Sequence, residues 1–118
     1  MTNYGVYYNE KLKQGQEFQD YVKNILWQMG VAFLDYSSQV NQFNVGENSL
    51  GLEIKNDNLY KNYGNLYIET HEKSHPSKPN YYPSGINRDD NSWLFCIGDN
   101  DKFFIFTIKR LQEVDNLI

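Results

Sequence analysis

One apolar stripe does most to limit what this chain can become. Phe18, Tyr21, Val22, Ile25, Leu26 and Met29 recur at the three-and-four spacing that gathers side chains on one side of a helix. Gly30 follows where a left-handed residue would cap it. The other apolar segments, such as Val31 to Leu34 and Trp93 to Ile97, are short, as strands are. Residues 31–33 read as a brief buried strand or the exit from the helix, and 35–39 as a turn. Residues 42–55 read as a β-hairpin, with Phe43 and Val45 alternating with polar neighbours and Asn48-Ser49 at its turn. After a polar loop closed by Gly64-Asn65, residues 66–72 read as another strand. The segment 73–91 holds Pro76, Pro79 and Pro83 and reads as a long surface loop, a kind of segment that is usually functional in a small domain. Strands over 92–97 and 102–108 flank the turn Gly98-Asp99-Asn100-Asp101, and 111–118 closes the chain as a short helix. The expected class is α+β.

With 118 residues the chain has room for one core and one domain, spanning 1–118. Its 16% aromatic content favours sheet within a folded protein. No apolar run approaches a bilayer span, so no membrane partner is expected. Residues 1–10 lack the basic and apolar regions of a signal peptide, which predicts a cytoplasmic location. The single cysteine, Cys96, has no intrachain partner and reads as a small buried hydrophobe. A formal charge of −4 argues against nucleic acid as a partner. Clustered carboxylates of a metal site, however, make even a nuclease acidic until cations bind.

Glu53-Ile54-Lys55 carries the strongest chemical signal. On a strand, Glu53 and Lys55 share a face while Leu52 and Ile54 turn to the core. Metal-dependent phosphodiester cleavage uses such a pair: a carboxylate to hold a divalent cation, and an ammonium to position water and offset charge on phosphate. The same tripeptide also serves as a surface ion pair. His71 and His75 lack the spacing and cysteine partners of a zinc site. Neither a Gly-x-Ser-x-Gly elbow nor a phosphate-cradling glycine loop is present.

Several phrases, Gly46-Glu47-Asn48, Gly51-Leu52-Glu53-Ile54-Lys55, Ile68-Glu69 and Ser84-Gly85-Ile86-Asn87-Arg88-Asp89-Asp90, are similar to small phage-borne members of the PD-(D/E)XK nuclease superfamily. Residues 15–30 resemble its first helix. The resemblance implies a restriction-endonuclease-like mixed β-sheet with an N-terminal helix and a short C-terminal helix. It also implies an Mg2+- or Mn2+-dependent hydrolase, an endonuclease acting on DNA. Glu47, Glu53 and the Ile54 carbonyl would hold the metal, and Lys55 would activate water. A strict two-residue hairpin loop would turn Glu47 away from Glu53, so a bulge at Gly46 and Gly51 is needed, or Asp35 is the substitute acid. Gln19 stands where many members carry a helix glutamate, with Glu17 and Asp20 beside it. Glu69 is either solvent-facing or a further acid of the site. Arg88, Asn87, Lys78 and Lys61 are the expected DNA contacts, and an ordinary polar loop, with Arg88 paired to Asp89 or Asp90, is the alternative. A homodimer would place two sites for two strands. Two other readings stand beside the nuclease: a catalytically inactive module of the same fold that binds DNA or protein, and a small acidic inhibitor that mimics nucleic acid.

Overall fold

The computed structural model describes residues 4–73 and 77–117; His75 and Pro76 lie outside them. In chain order the elements are α1 (Tyr4–Gln28), α2 (Gln39–Asn44), β1 (Leu52–Asn56), α3 (Tyr60–Tyr63), β2 (His71–Glu72), β3 (Tyr82–Pro83), a 3-10 turn (Gly85–Asn87), β4 (Leu94–Gly98), β5 (Phe103–Thr107) and α4 (Ile108–Asp115). The fold is a small mixed α+β arrangement. Its main sheet has the order β1-β4-β5, with β1 parallel to β4 and β4 antiparallel to β5.

Alternation along the strands gives this sheet two covered faces. Leu52, Ile54 and Cys96 pack with Phe18, Val22 and Leu26 of α1 and with Phe33. Phe95 and Ile97 point the other way and pack with Ile86 of the 3-10 turn and Ile108 of α4. The helical stripe is real as far as Leu26. Met29, by contrast, is 73% exposed, because the Val31 N–H returns to the Leu26 carbonyl at 2.8 Å and turns the chain off the helix axis. Gly30 has the left-handed φ of +90° expected of it.

Two expected elements are corrected. Residues 42–55 do not form a hairpin. Ser38 caps α2 by accepting from the Asn41 N–H at 3.0 Å, and residues 47–49 of the supposed first strand pair back with residues 34–36 through an antiparallel bridge between Asn48 and Asp35. The strand expected over 66–72 shrinks to His71–Glu72, paired with Tyr82–Pro83. Leu66 and Ile68 instead pack beneath the second face. The Glu69 and Thr70 carbonyls are taken by the Ile86 and Ser84 N–H groups, each at 3.0 Å. Gly85 makes that approach possible: at φ +54°, a Cβ there would sit 2.0 Å from the Glu69 carbonyl oxygen.

The C-terminal third follows expectation, since its signals are local. Asp99 Oδ1 accepts from the Asp101 and Lys102 N–H groups at 2.9 and 3.0 Å, closing the β4–β5 turn. Thr107 caps α4, which begins three residues before the expected 111. Among the described residues, no helix is long and apolar enough to cross a membrane. Cys96 is fully buried mid-sheet, and burial pushes its thiol up to about 12. A disulfide reagent at pH 8 should therefore leave native protein unlabelled, and labelling should track the urea unfolding curve. Fast labelling without denaturant would contradict this packing.

Candidate functional site

β1 is an edge strand, and its outer edge organises the site. The Gly51 carbonyl accepts from the Trp93 and Leu94 N–H groups, and the Asp57 N–H donates to the Gly98 carbonyl. Main-chain groups of residues 51, 53, 55 and 57 thus face β4. Those of Leu52, Ile54 and Asn56 face outward, because the direction alternates along a strand.

A side chain completes the first outward rung. Asn48, 2% exposed, donates from Nδ2 to the Leu52 carbonyl at 2.7 Å and accepts at Oδ1 from the Leu52 and Gly51 N–H groups, each at 3.0 Å. Its carboxamide imitates the neighbouring strand that β1 lacks. Two glycines let the chain approach closely enough: Gly46 at φ +147° and Gly51 at φ +79° both lie against Asn91, whose Nδ2 donates to the Asn48 carbonyl at 2.8 Å. Glu47 precedes this clamp and takes the next rung, where its carboxylate accepts from the Ile54 main chain. Glu47 therefore reaches the β1 edge without a hairpin bulge.

Glu53 lies on the second face, in register with Phe95, and is only 2% exposed. Lys55 Nζ is 3.5 Å from its Oε1, while among the described residues no donor reaches Oε2. Burial pushes the Glu53 carboxyl up to about 7; Lys55 opposes the rise, and the charges of Glu47 and Asp90 add to it. Burial also raises Glu47, against Lys55, the Ile54 hydrogen bond and Arg88. These carboxylates feel one another's charge, which is the physical content of a shared site.

Asp90 is the acid that sequence reasoning placed only as a partner of Arg88. It does have that contact, with Arg88 Nε 3.2 Å from Oδ2, but its side chain is 1% exposed and it presses on both glutamates. The run Arg88-Asp89-Asp90 was the available signal, and nothing local tells which aspartate turns inward. Arg88 also donates to the Gln42 carbonyl at 2.6 Å.

The remaining expected residues divide. Gln19 is half-buried and lines two depressions that flank the β1 edge. One is a cleft of about 570 Å³ that includes Lys55 and Glu69, and the other, of about 330 Å³, includes Glu47 and Asp35. Glu69 is thus placed beside the site, partly buried. Asp35 is held by Lys23 at 2.8 Å. Glu17 is exposed, 3.9 Å from Lys13, and opens onto a separate depression with Asp99 and Asp101. Lys61 is bound to Asp99 at 3.2 Å and to Asp101. Asn87 donates to the Thr70 carbonyl at 3.2 Å and accepts from Gln112, so it braces the loop. Lys78 is exposed.

Scans of family models, curated proteins and solved structures returned no match to this chain. Chemistry must therefore be argued from the site. Among the described residues no three His, Cys, Asp or Glu side chains converge as a metal cage. Magnesium does not require one, since it is commonly held by one or two carboxylates and keeps several waters. The donors here match that set: the Glu53 oxygen that has no partner among the described residues, Glu47 on the strand edge, and the outward Ile54 carbonyl.

Proposed function

We propose that this chain is a magnesium-dependent phosphodiester hydrolase acting on DNA, an endonuclease of the PD-(D/E)XK type with a restriction-endonuclease-like fold. The observation that carries the reading is the buried Glu53 carboxylate, one oxygen against Lys55 and the other without a donor among the described residues, beside Glu47 on the edge of β1. A buried anion with an unmet oxygen is costly unless something cationic completes it. The mixed sheet packed on an N-terminal helix also supports the reading.

A bound magnesium ion would supply Lewis-acid polarisation of the phosphate and acidify water at neutral pH. The chain's own groups do the rest. Glu47, Glu53 and the Ile54 carbonyl would hold the ion. Lys55, roughly half exposed while its partner is buried, reaches from the site toward solvent, where its Nζ can orient the attacking water and offset charge gathering on the phosphate oxygens. Arg88, fixed by Asp90 and the Gln42 carbonyl, adds a second cation near Glu47.

The deciding experiment is incubation of plasmid and linear DNA with magnesium, manganese or chelator, alongside Glu53→Ala and Lys55→Ala. Cleavage is expected with either metal and should be lost in both variants while their circular dichroism is unchanged. One observation favours a second reading: Lys55 already neutralises Glu53 directly, as in a scaffold that has given up its metal. DNA binding without cleavage under every metal would select that non-catalytic module.

A further inference from the structure

We infer that the cleft beside Lys55 receives one unpaired nucleotide, so that the substrate is single-stranded or locally unpaired DNA rather than a continuous duplex. The inference takes from the proposed function only the identity of the polymer.

Shape and lining carry it. The cleft holds about 570 Å³. That is within the roughly 300–1,000 Å³ of pockets that enclose one small ligand. A duplex keeps its bases stacked inside and cannot fill such a space without extruding one. The floor is apolar, made by Phe95 and Ile97, while Gln14, Asn56 and Asn58 bring carboxamides to the rim. Carboxamides offer both donors and acceptors, as the exposed edge of an unpaired base requires. Tyr67 borders the same cleft with 78% of its surface exposed, although its main-chain N–H is fixed to Asp57 Oδ2 at 3.1 Å. An anchored backbone with a free aromatic ring is what base stacking uses.

Charge points the same way. A duplex presents one phosphate charge per ~1.7 Å of axis, and a protein that lies along it does so through many available cations. Here Lys13, Lys23, Lys61, Arg88 and Arg110 each sit on a carboxylate. At the cleft itself the cations are Lys11 and Lys55, the second of them also 3.5 Å from Glu53, and Asp57 and Glu69 stand in the same lining. So little positive charge at the pocket suits one phosphate of a flexible strand, not a broad duplex face.

The test is fluorescence anisotropy of a labelled mixed-sequence 12-nucleotide DNA, alone or annealed to its complement, with calcium in place of magnesium and again with chelator. The single strand should bind at least tenfold more tightly than the duplex. Tyr67→Ala should weaken single-strand binding about tenfold, as loss of one stacked base does, and Tyr67→Trp should restore it. Equal or tighter duplex binding, indifference to Tyr67→Ala, or no binding of either form overturns the inference. Tyr67-dependent binding of the single strand with no cleavage under any metal keeps it and removes the hydrolase. Duplex cleavage that needs Glu53 and ignores Tyr67 does the reverse.

Discussion

Glu53→Gln should abolish metal-dependent cleavage and at the same time make the protein more stable at pH 8. Both effects come from one carboxylate. Removing a metal-holding charge from a phosphodiester hydrolase is expected to lower the rate by ~10³-fold or more, since the charge stabilisation it organises is worth several kcal/mol. The stability effect has the opposite sign. Glu53 titrates near 7 in the folded protein against an ordinary 4.5. Below pH 4.5 the carboxyl is neutral in folded and unfolded chains alike, and burial costs nothing in charge. Between 4.5 and 7 the unfolded chain loses its proton first, so each step upward in pH favours unfolding. Above 7 the full cost stands at roughly 3 kcal/mol, from about 1.36 kcal/mol per pH unit. Glutamine carries no charge to bury. Urea unfolding should therefore find the variant level with the wild type at pH 4.5 and more stable by up to about 3 kcal/mol at pH 8. Millimolar magnesium should raise the wild type at pH 8 and leave Glu53→Gln unmoved, because only a ligand bound to the native state shifts the equilibrium. A variant less stable than wild type at pH 8 would mean that Glu53 already has its counter-charge in Lys55 and awaits no cation.

This trade of stability against chemistry bears on what the amino-acid order could reveal. Phe18, Val22, Leu26 and Gly30 announced α1 because a helix repeats within a few residues, and Gly98-Asp99 announced the last turn for the same reason. Glu53 and Lys55 were readable as a pair sharing a strand face. The burial of Glu53 was not, because the residues covering its face, Ile86 and Ile108, come far later in the chain. Parallel pairing of β1 with β4 is equally non-local, and it leaves the alternating pattern of residues 52–56 looking like half of a hairpin. Asp90 shows the same limit from the side of charge: Arg88-Asp89-Asp90 reads as a solvated run, yet one aspartate is swallowed by the fold and its neighbour stays exposed.

Asn48 is where the mistaken hairpin and the candidate site meet, and replacing it with alanine should be the most damaging single truncation on this edge. As a turn residue in a hairpin it would face solvent, and its loss would cost a few tenths of a kcal/mol. As observed, its carboxamide holds both main-chain groups of Leu52 and the N–H of Gly51 at a position 2% exposed. Each buried polar group left without a partner costs about 1–3 kcal/mol. The Gly51 N–H keeps the Asn48 main-chain carbonyl at 3.3 Å, so the two groups of Leu52, partly relieved by water entering the gap, give an expected loss of roughly 2–4 kcal/mol by urea titration. That is a large share of the 5–15 kcal/mol typical of a domain. Asn48→Asp separates the two halves of the clamp. It keeps an acceptor for the two N–H groups but aims a second oxygen at the Leu52 carbonyl and adds a buried charge beside Glu47 and Glu53. Its stability should fall further as pH rises, whereas the deficit of Asn48→Ala should change little with pH. Glu47 is adjacent in sequence and relies on the same edge, so cleavage by either variant should drop before global unfolding begins. If Asn48→Ala costs less than about 1 kcal/mol, the edge of β1 is held by something other than this carboxamide, and the placement of Glu47 beside Ile54 loses its structural basis.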